Sequence, residues 1–144
     1  MEIVGKSKGA EVRIEVSGKL ERFLKDKQKF QEAREKAVEA AGRVWADEAK
    51  KVTQAGGHID TAYFVNSIGF PSSYSGPNGS RVGPRVHDMT TSGSRTTLTI
   101  GSGVSYAIYL EKRYNIFAKS LSSSMEKMAS VSATYIDQAL KDWR

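Results

Sequence analysis

The sequence predicts an α+β fold, in which a small antiparallel sheet packs against a long N-terminal helix and a C-terminal helix. Three observations predict this fold. Short segments alternate polar and apolar residues, two long segments repeat apolar residues at three- and four-residue steps, and a glycine-rich stretch separates them. The chain has 144 residues, the size of one ordinary domain, so we interpret residues 1–144 as a single domain.

Two strands are predicted from patterns with a period of two. Residues 11–16 alternate polar and apolar side chains, so their three apolar side chains share one face. Residues 95–101 give the clearest strand, because they combine β-branched threonine and isoleucine with apolar positions on one face. We assign no element before residue 11.

Two long helices are predicted from the period of 3.6 residues. The first runs from Leu20 to Val52, as one helix or as two joined pieces, since the pattern weakens between Lys25 and Lys29. Gly56-Gly57 ends it, and its alanines between positions 33 and 49 predict close packing against a neighbouring element. The second is the amphipathic segment from Leu121 to Trp143, with Ser122–Ser124 as candidate N-caps.

The remaining chain is predicted to hold short helices and a long loop. One short helix starts at Asp60 and runs into a strand over residues 67–70, and another covers residues 104–113. Residues 71–95, rich in glycine, serine and proline, form an extended loop or a long hairpin that turns at Asn78-Gly79.

Composition and charge exclude several classes of protein. The chain has no cysteine, so it has neither disulfides nor a cysteine-based zinc site, as expected for a protein of a reducing cytoplasm. No apolar run approaches the roughly 20 residues that span a bilayer, and the N-terminus lacks the apolar core of a secretory signal. The net charge of +6 is spread along the chain, which fits a solvated surface better than a nucleic-acid patch.

The sequence offers no constellation that predicts catalysis, a metal or a cofactor. The pairs His58 with Asp60 and His87 with Asp88 each lack a third ligand, so we interpret both histidines as loop residues. The triplet Gly101-Ser102-Gly103 lacks the spacing of a phosphate-binding loop and predicts a turn that ends a strand.

Three arginines lie in or beside the glycine-rich loop, at Arg81, Arg85 and Arg95. Together with Tyr74 they suit contact with DNA phosphates, and they equally suit an acidic face of a neighbouring subunit. We favour the subunit contact, and a DNA-binding module that uses this basic loop is the alternative function.

Two motifs carry a resemblance to a known family. Residues 60–68, Asp-Thr-Ala-Tyr-Phe-Val-Asn-Ser-Ile, are similar to Asp-Thr-Gly-x-Leu-Arg-x-Ser-Ile, with Ala62 and Val65 as departures. Residues 100–111, Ile-Gly-Ser-Gly-Val-Ser-Tyr-Ala-Ile-Tyr-Leu-Glu, resemble Val-Gly-x-x-x-x-Tyr-Ala-x-Tyr-Val-Glu. In this order after a long charged helix, they resemble the tail-completion or neck proteins of long-tailed bacteriophages, also called minor tail or head–tail joining components, over residues 18–118.

The resemblance implies a structural virion protein and not an enzyme. Such a protein forms a ring, often a hexamer, at the neck or the top of the tail, and joins the tail to the head connector while DNA passes through the ring. The implied partners are copies of itself, a tail-tube or tail-terminator protein and a protein on the portal side of the head connector, with no membrane and no cofactor. The implied location is the virion, assembled in the host cytoplasm.

The motif residues are expected to determine the fold or an interface. We expect Asp60 and Ser67 to cap and end the short helix, and Tyr106, Tyr109 and Leu110 to pack their helix on the sheet. The full set of motif residues is Asp60, Thr61, Ser67, Ile68, Gly101, Tyr106, Ala107, Tyr109 and Glu111.

The glycine-rich loop is expected to be mobile in the free subunit and to become ordered when it docks on a neighbour, because fixing each residue's backbone costs about 1–2 kcal/mol. On this interpretation, deletion of residues 74–88 leaves the fold nearly as stable and blocks assembly.

Overall fold

The computed structural model describes residues 2–17, 27–55, 63–69, 85–93 and 95–142. These residues form a four-stranded sheet covered by helices, which confirms the predicted α+β fold. The elements in chain order are β1 (Glu2–Lys8), β2 (Glu11–Ser17), α1 (Lys27–Ala55), α2 (Tyr63–Asn66), β3 (Arg85–Ser92), β4 (Arg95–Ser102), α3 (Ala107–Tyr114) and α4 (Ile116–Asp142).

The sheet is built from two tight hairpins. The strand order is β1-β2-β4-β3, and every neighbouring pair is antiparallel. Two-residue connections join the strands of each hairpin, and glycine comes first in both, with φ of 58° at Gly9 and 60° at Gly93. Glycine adopts this left-handed conformation without the steric cost of a Cβ, which makes both turns compatible with the strand twist.

The two faces of the sheet have different chemistry. Val12, Ile14, Leu98 and Ile100 are fully buried on the face that α1 and α4 cover. The alternate positions of the same strands carry charged and hydroxyl side chains on the opposite face. The core therefore lies between one face of the sheet and the two long helices.

The two long helices pack closely through small residues. The alanines of α1, including Ala37 and Ala41, are fully buried, which confirms the close packing predicted for this segment. Ser132 on α4 donates from Oγ to the Ala37 carbonyl at 3.4 Å and to the Met128 carbonyl at 2.8 Å. Small side chains at the contact let the two backbones approach, and the buried hydroxyls find carbonyl acceptors.

Helix α4 begins earlier than its sequence pattern indicated. It starts at Ile116 instead of Leu121, so Ser122–Ser124 lie inside the helix and the N-cap assignment is wrong. The Ser124 hydroxyl donates to the Ser120 carbonyl at 2.6 Å, one helical turn back. A serine that bonds the backbone in this way is tolerated within a helix.

Strand β3 corrects the predicted loop over residues 71–95. Residues 85–92 form a strand paired with β4, and the hairpin turn lies at Gly93. Asn78-Gly79 lies outside the described residues. Deletion of residues 74–88 would remove the first half of β3, so the expectation that the fold survives it is wrong.

The segment after α2 is a turn and not the start of a strand. Ser67 donates its backbone N–H to the Phe64 carbonyl at 3.0 Å, and Gly69 donates to the Gly101 carbonyl at 3.0 Å. The strand predicted over residues 67–70 is therefore wrong for residues 67–69. The predicted helix end at Gly56-Gly57 lies outside the described residues.

Candidate functional site

The second motif begins with a close backbone contact. Gly101, near the end of β4, is buried against the turn between β1 and β2. A Cβ at position 101 would overlap the Ala10 carbonyl oxygen and lie 2.9 Å from Glu11 Cα. The neighbouring Ser102 donates its backbone N–H to the same Ala10 carbonyl at 3.1 Å. The motif glycine therefore has a structural function, which is to let two backbone segments meet.

The end of the motif links α3 to α4. Ala107 is buried, and the Glu111 carboxylate accepts from the Phe117 backbone N–H, with both oxygens at 2.8 Å from the nitrogen. It also accepts from the Ala118 N–H at 3.4 Å. Burial raises the pKa of Glu111, and the two backbone donors oppose this shift. Glu111 therefore caps the free N–H groups at the start of α4, where a negative charge is favoured.

Replacement of Glu111 by glutamine is expected to lower the free energy of unfolding by about 1 kcal/mol, because the amide offers one acceptor oxygen where the carboxylate offers two. Urea denaturation followed by circular dichroism measures the change. Glu126→Gln, at an exposed position of α4, is the matched control and should change stability by less than about 0.5 kcal/mol. Equal stability of the two variants would contradict the capping role.

The middle of the motif places large apolar side chains in solvent. Tyr106 is 42% exposed, Ile108 53% and Tyr109 59%, and we call these three residues the α3 surface. The expectation that Tyr106 and Tyr109 pack on the sheet is therefore wrong. Helix α3 turns its buried Ala107 and half-buried Leu110 inward, three residues apart, which leaves the positions between them outside.

The α3 surface lies at one end of the sheet. It follows the last residues of β4, and Ile108 approaches the β1–β2 turn, since a Cβ at Gly9 would lie 3.9 Å from Ile108 Cγ1. Arg113 donates from Nη1 to the Tyr109 hydroxyl at 3.1 Å. Among the residues that the structure describes, Tyr135 on α4 is the other large hydrophobic side chain with comparable exposure. Exposed apolar groups are thus concentrated in one short segment.

The first motif contributes to the core. Ser67 and Ile68 are fully buried, and the Phe64 ring stacks on Phe117 with 5.9 Å between ring centroids. Trp45 meets the same Phe117 edge to face at 5.0 Å and donates from Nε1 to the Phe117 carbonyl at 3.3 Å. These contacts join α1, α2 and α4. Asp60 and Thr61 lie outside the described residues, so the capping role of Asp60 stays a prediction.

The arginines predicted to act together are separated. Arg85 donates from Nε and Nη2 to the Asn66 carbonyl at 3.1 and 2.9 Å, on the face of the sheet that the helices cover. Arg95 lies on the opposite face, with Nε 4.0 Å from Glu15 Oε2. Arg81 lies outside the described residues. The structure therefore does not bring Arg85 and Arg95 into one basic patch.

A buried lysine was not predicted from the sequence. Lys50 on α1 is fully buried, and its pKa is lowered to about 8 by burial and by the nearby charge of Arg85, against the opposing effect of Asp47. Lysine at a helical position is normally interpreted as a solvated group, so only the position of Arg85 on β3 and the packing of α1 reveal this environment.

The described histidine also departs from its predicted setting. His87 lies in β3 and not in a loop, and its Nε2 is 2.8 Å from Glu39 Oε2. Glu39 also forms a helical ion pair with Arg43 at 3.6 Å. His58 lies outside the described residues. Within the described ranges, no three histidine, aspartate or glutamate side chains are grouped as metal ligands would be.

These features define the class of the protein. Its motif residues fix backbone contacts and a helix cap, and expose apolar side chains suited to contact with other proteins; this is the arrangement of a structural assembly component. Residues 14–112 match the family model described as Bacteriophage HK97-gp10, putative tail-component, and the chain belongs to this family. The match covers more than half of the chain and includes both motifs, which confirms the family resemblance.

Membership of this family makes the protein a tail component of the virion that contacts other phage structural proteins. Comparisons with curated proteins and with solved structures gave no significant match. No helix in the described part of the chain is long and apolar enough to cross a membrane.

Proposed function

We propose that the protein forms a ring of identical subunits at the neck or the top of the tail, and that this ring joins the tail to the head connector. The observation that carries the proposal is the α3 surface, in which a family motif holds three large apolar side chains in solvent. A motif that served only the core would bury these side chains, so their exposure points to a docking function.

The chemistry of the α3 surface suits a protein partner. Tyrosine and arginine are the residue types that most often dominate binding energy at interfaces, and Tyr109 and Arg113 are already joined by a hydrogen bond. The surface lies at the end of the strands and next to the β1–β2 turn, and in the proposed ring it faces a neighbouring ring along the tail axis. The proposed partners are a tail-tube or tail-terminator protein on one side and a protein of the head connector on the other.

Contact with DNA is secondary in this proposal. The basic-loop alternative needs several arginines on one surface, whereas Arg85 and Arg95 lie on opposite faces of the sheet. DNA that passes through the ring would meet it only in transit, with weak, salt-dependent contacts.

The double variant Ile108→Ser/Tyr109→Ser is expected to weaken docking at least tenfold, because both side chains are more than half exposed and would be buried by a partner. The measurement is co-sedimentation of the purified protein with tail tubes, and separately with head connectors. Before each protein is mixed with tails or connectors, mass photometry measures whether it forms the ring on its own.

Tyr135→Ser provides the matched control, since it removes an aromatic side chain that is 40% exposed on α4. It should dock like the wild type. Wild-type docking by the double variant would contradict the role of the α3 surface. A protein that stays monomeric at micromolar concentration, both alone and on tails, would contradict the ring.

A further inference from the structure

The two edges of the sheet are complementary in direction. Strands β1 and β3 are the edges, and within the described ranges β1 pairs only with β2, and β3 only with β4. Because the sheet has four strands and every pairing is antiparallel, β1 and β3 run in opposite directions. A second copy placed beside the first in the same orientation therefore sets its β1 antiparallel to β3, as the strands within each subunit already are.

The edges are also complementary in charge. Lys6, Arg13, Thr99 and Asp88 lie directly opposite one another across the four strands, in one row on the face away from the helices. The row starts with an exposed lysine on β1 and ends with an exposed aspartate on β3. If the row continues without stagger into the next subunit, Asp88 of one copy lies directly opposite Lys6 of the next. An opposite-charge pair at this position stabilises strand pairing.

Like charges disfavour some registers of symmetric pairing. Two β1 edges that set Lys6 opposite Lys6 or Lys8 would repel, whereas a register that sets Glu2 opposite Lys6 would not, and two β3 edges paired at Asp88 would bring the two carboxylates together. Lysines on an edge strand commonly prevent like edges from joining. Pairing β1 with β3 brings Lys6 and Asp88 together, and a head-to-tail contact of this kind generates a ring where its rotation closes.

We propose that β1 of each subunit pairs antiparallel with β3 of the next copy, with Lys6 beside Asp88, so that one continuous sheet closes the ring. This inference rests on the proposed ring and specifies the contact between its subunits. The α3 surface lies beyond the strand ends, so the lateral contact leaves it open for docking along the axis.

Cross-linking tests the contact directly, because the chain has no cysteine of its own. In the double variant Lys6→Cys/Asp88→Cys, a short bis-maleimide is expected to link neighbouring subunits into a ladder of covalent oligomers that ends at the ring size. Each single variant should give at most a trace of dimer, since its thiols do not face each other. Efficient dimerisation of a single variant, or no ladder from the double variant, would overturn the inference.

Charge exchange provides an independent readout. Lys6→Asp and Asp88→Lys should each weaken ring formation at least tenfold in mass photometry, and the combined Lys6→Asp/Asp88→Lys variant should restore it. Lys127→Asp, an exposed position on α4, is the control for net charge and should assemble normally. Thermal unfolding verifies that each variant is folded.

The outcomes separate this inference from the proposed function. Rings that form in every variant, without a covalent ladder, would overturn the edge-to-edge contact and leave the ring in place. A wild-type protein that forms no ring under any condition would overturn both.

Discussion

Replacement of Gly101 by alanine is expected to lower the free energy of unfolding by about 3 kcal/mol or more. The added Cβ would overlap the Ala10 carbonyl oxygen and approach Glu11 Cα to 2.9 Å. Both obstacles are backbone atoms of the β1–β2 hairpin, so no side-chain rotation relieves them and β2 must move away from β4. Since a domain of this size has a total stability of about 5–15 kcal/mol, much of the native state would be lost. Urea denaturation followed by circular dichroism measures the change.

Gly93→Ala is the matched control for this prediction. Gly93 has a φ of 60°, and no atom lies within 4 Å of a Cβ placed there, so alanine meets only the backbone cost of the left-handed conformation. That cost is about 1–2 kcal/mol. If Gly101→Ala were as stable as Gly93→Ala, the close backbone contact at position 101 would not be the reason that the fold requires glycine there.

The stability of the protein is expected to rise as the pH increases from about 8 to 10, because Lys50 is buried. Its pKa is lowered from 10.5 to about 8 in the folded state. Between these two values the unfolded chain binds more protons than the folded one, so raising the pH favours folding. The gain is absent below pH 8, where Lys50 is protonated in both states, and it reaches on the order of 3 kcal/mol above the unfolded pKa.

The variant Lys50→Met isolates this contribution from other groups that titrate at high pH. Urea denaturation at pH 7, 8, 9 and 10 should show a rise in wild-type stability that the variant lacks. Lys36→Met, at an exposed position of the same helix, should retain the rise. Parallel pH profiles for the wild type and Lys50→Met would show that burial of Lys50 does not disfavour its charge.

The sequence predicted the elements whose buried side chains follow a regular period. Both long helices and the strands β2 and β4 were predicted because their inward positions are apolar. The edge strands were missed because each has only one large apolar side chain that faces inward, Ile3 on β1 and Met89 on β3. In β1, Gly5 faces α4, and Leu121 and Met125 occupy the space where its side chain would be. In β3, the inward positions include Arg85 and His87, which find partners on α2 and α1. Alternation in hydropathy disappears where polar contacts or small residues replace apolar burial.

The candidate site was predicted in part. The resemblance identified the motif residues and their order. It did not show which of them are buried, which caps a helix and which are exposed. Periodicity alone does not separate the buried Ala107 from the exposed Ile108 and Tyr109, since all are apolar and α3 is short. The capping role of Glu111 depends on the link between α3 and α4, where Asn115 adopts a left-handed conformation with a φ of 54°.

The central pairing of β2 with β4 sets the order in which the subunit is completed during synthesis. Each hairpin is local, but Glu15 on β2 and Thr97 on β4 are 82 residues apart in the chain. At about 5–20 residues per second, several seconds separate their emergence from the ribosome. Contacts this distant in sequence form slowly, because the intervening chain must first be closed into a loop. We therefore expect the β1–β2 hairpin to remain without its β4 neighbour until most of the chain has been synthesised. The β1 and β3 edges reach their final spacing only after that step.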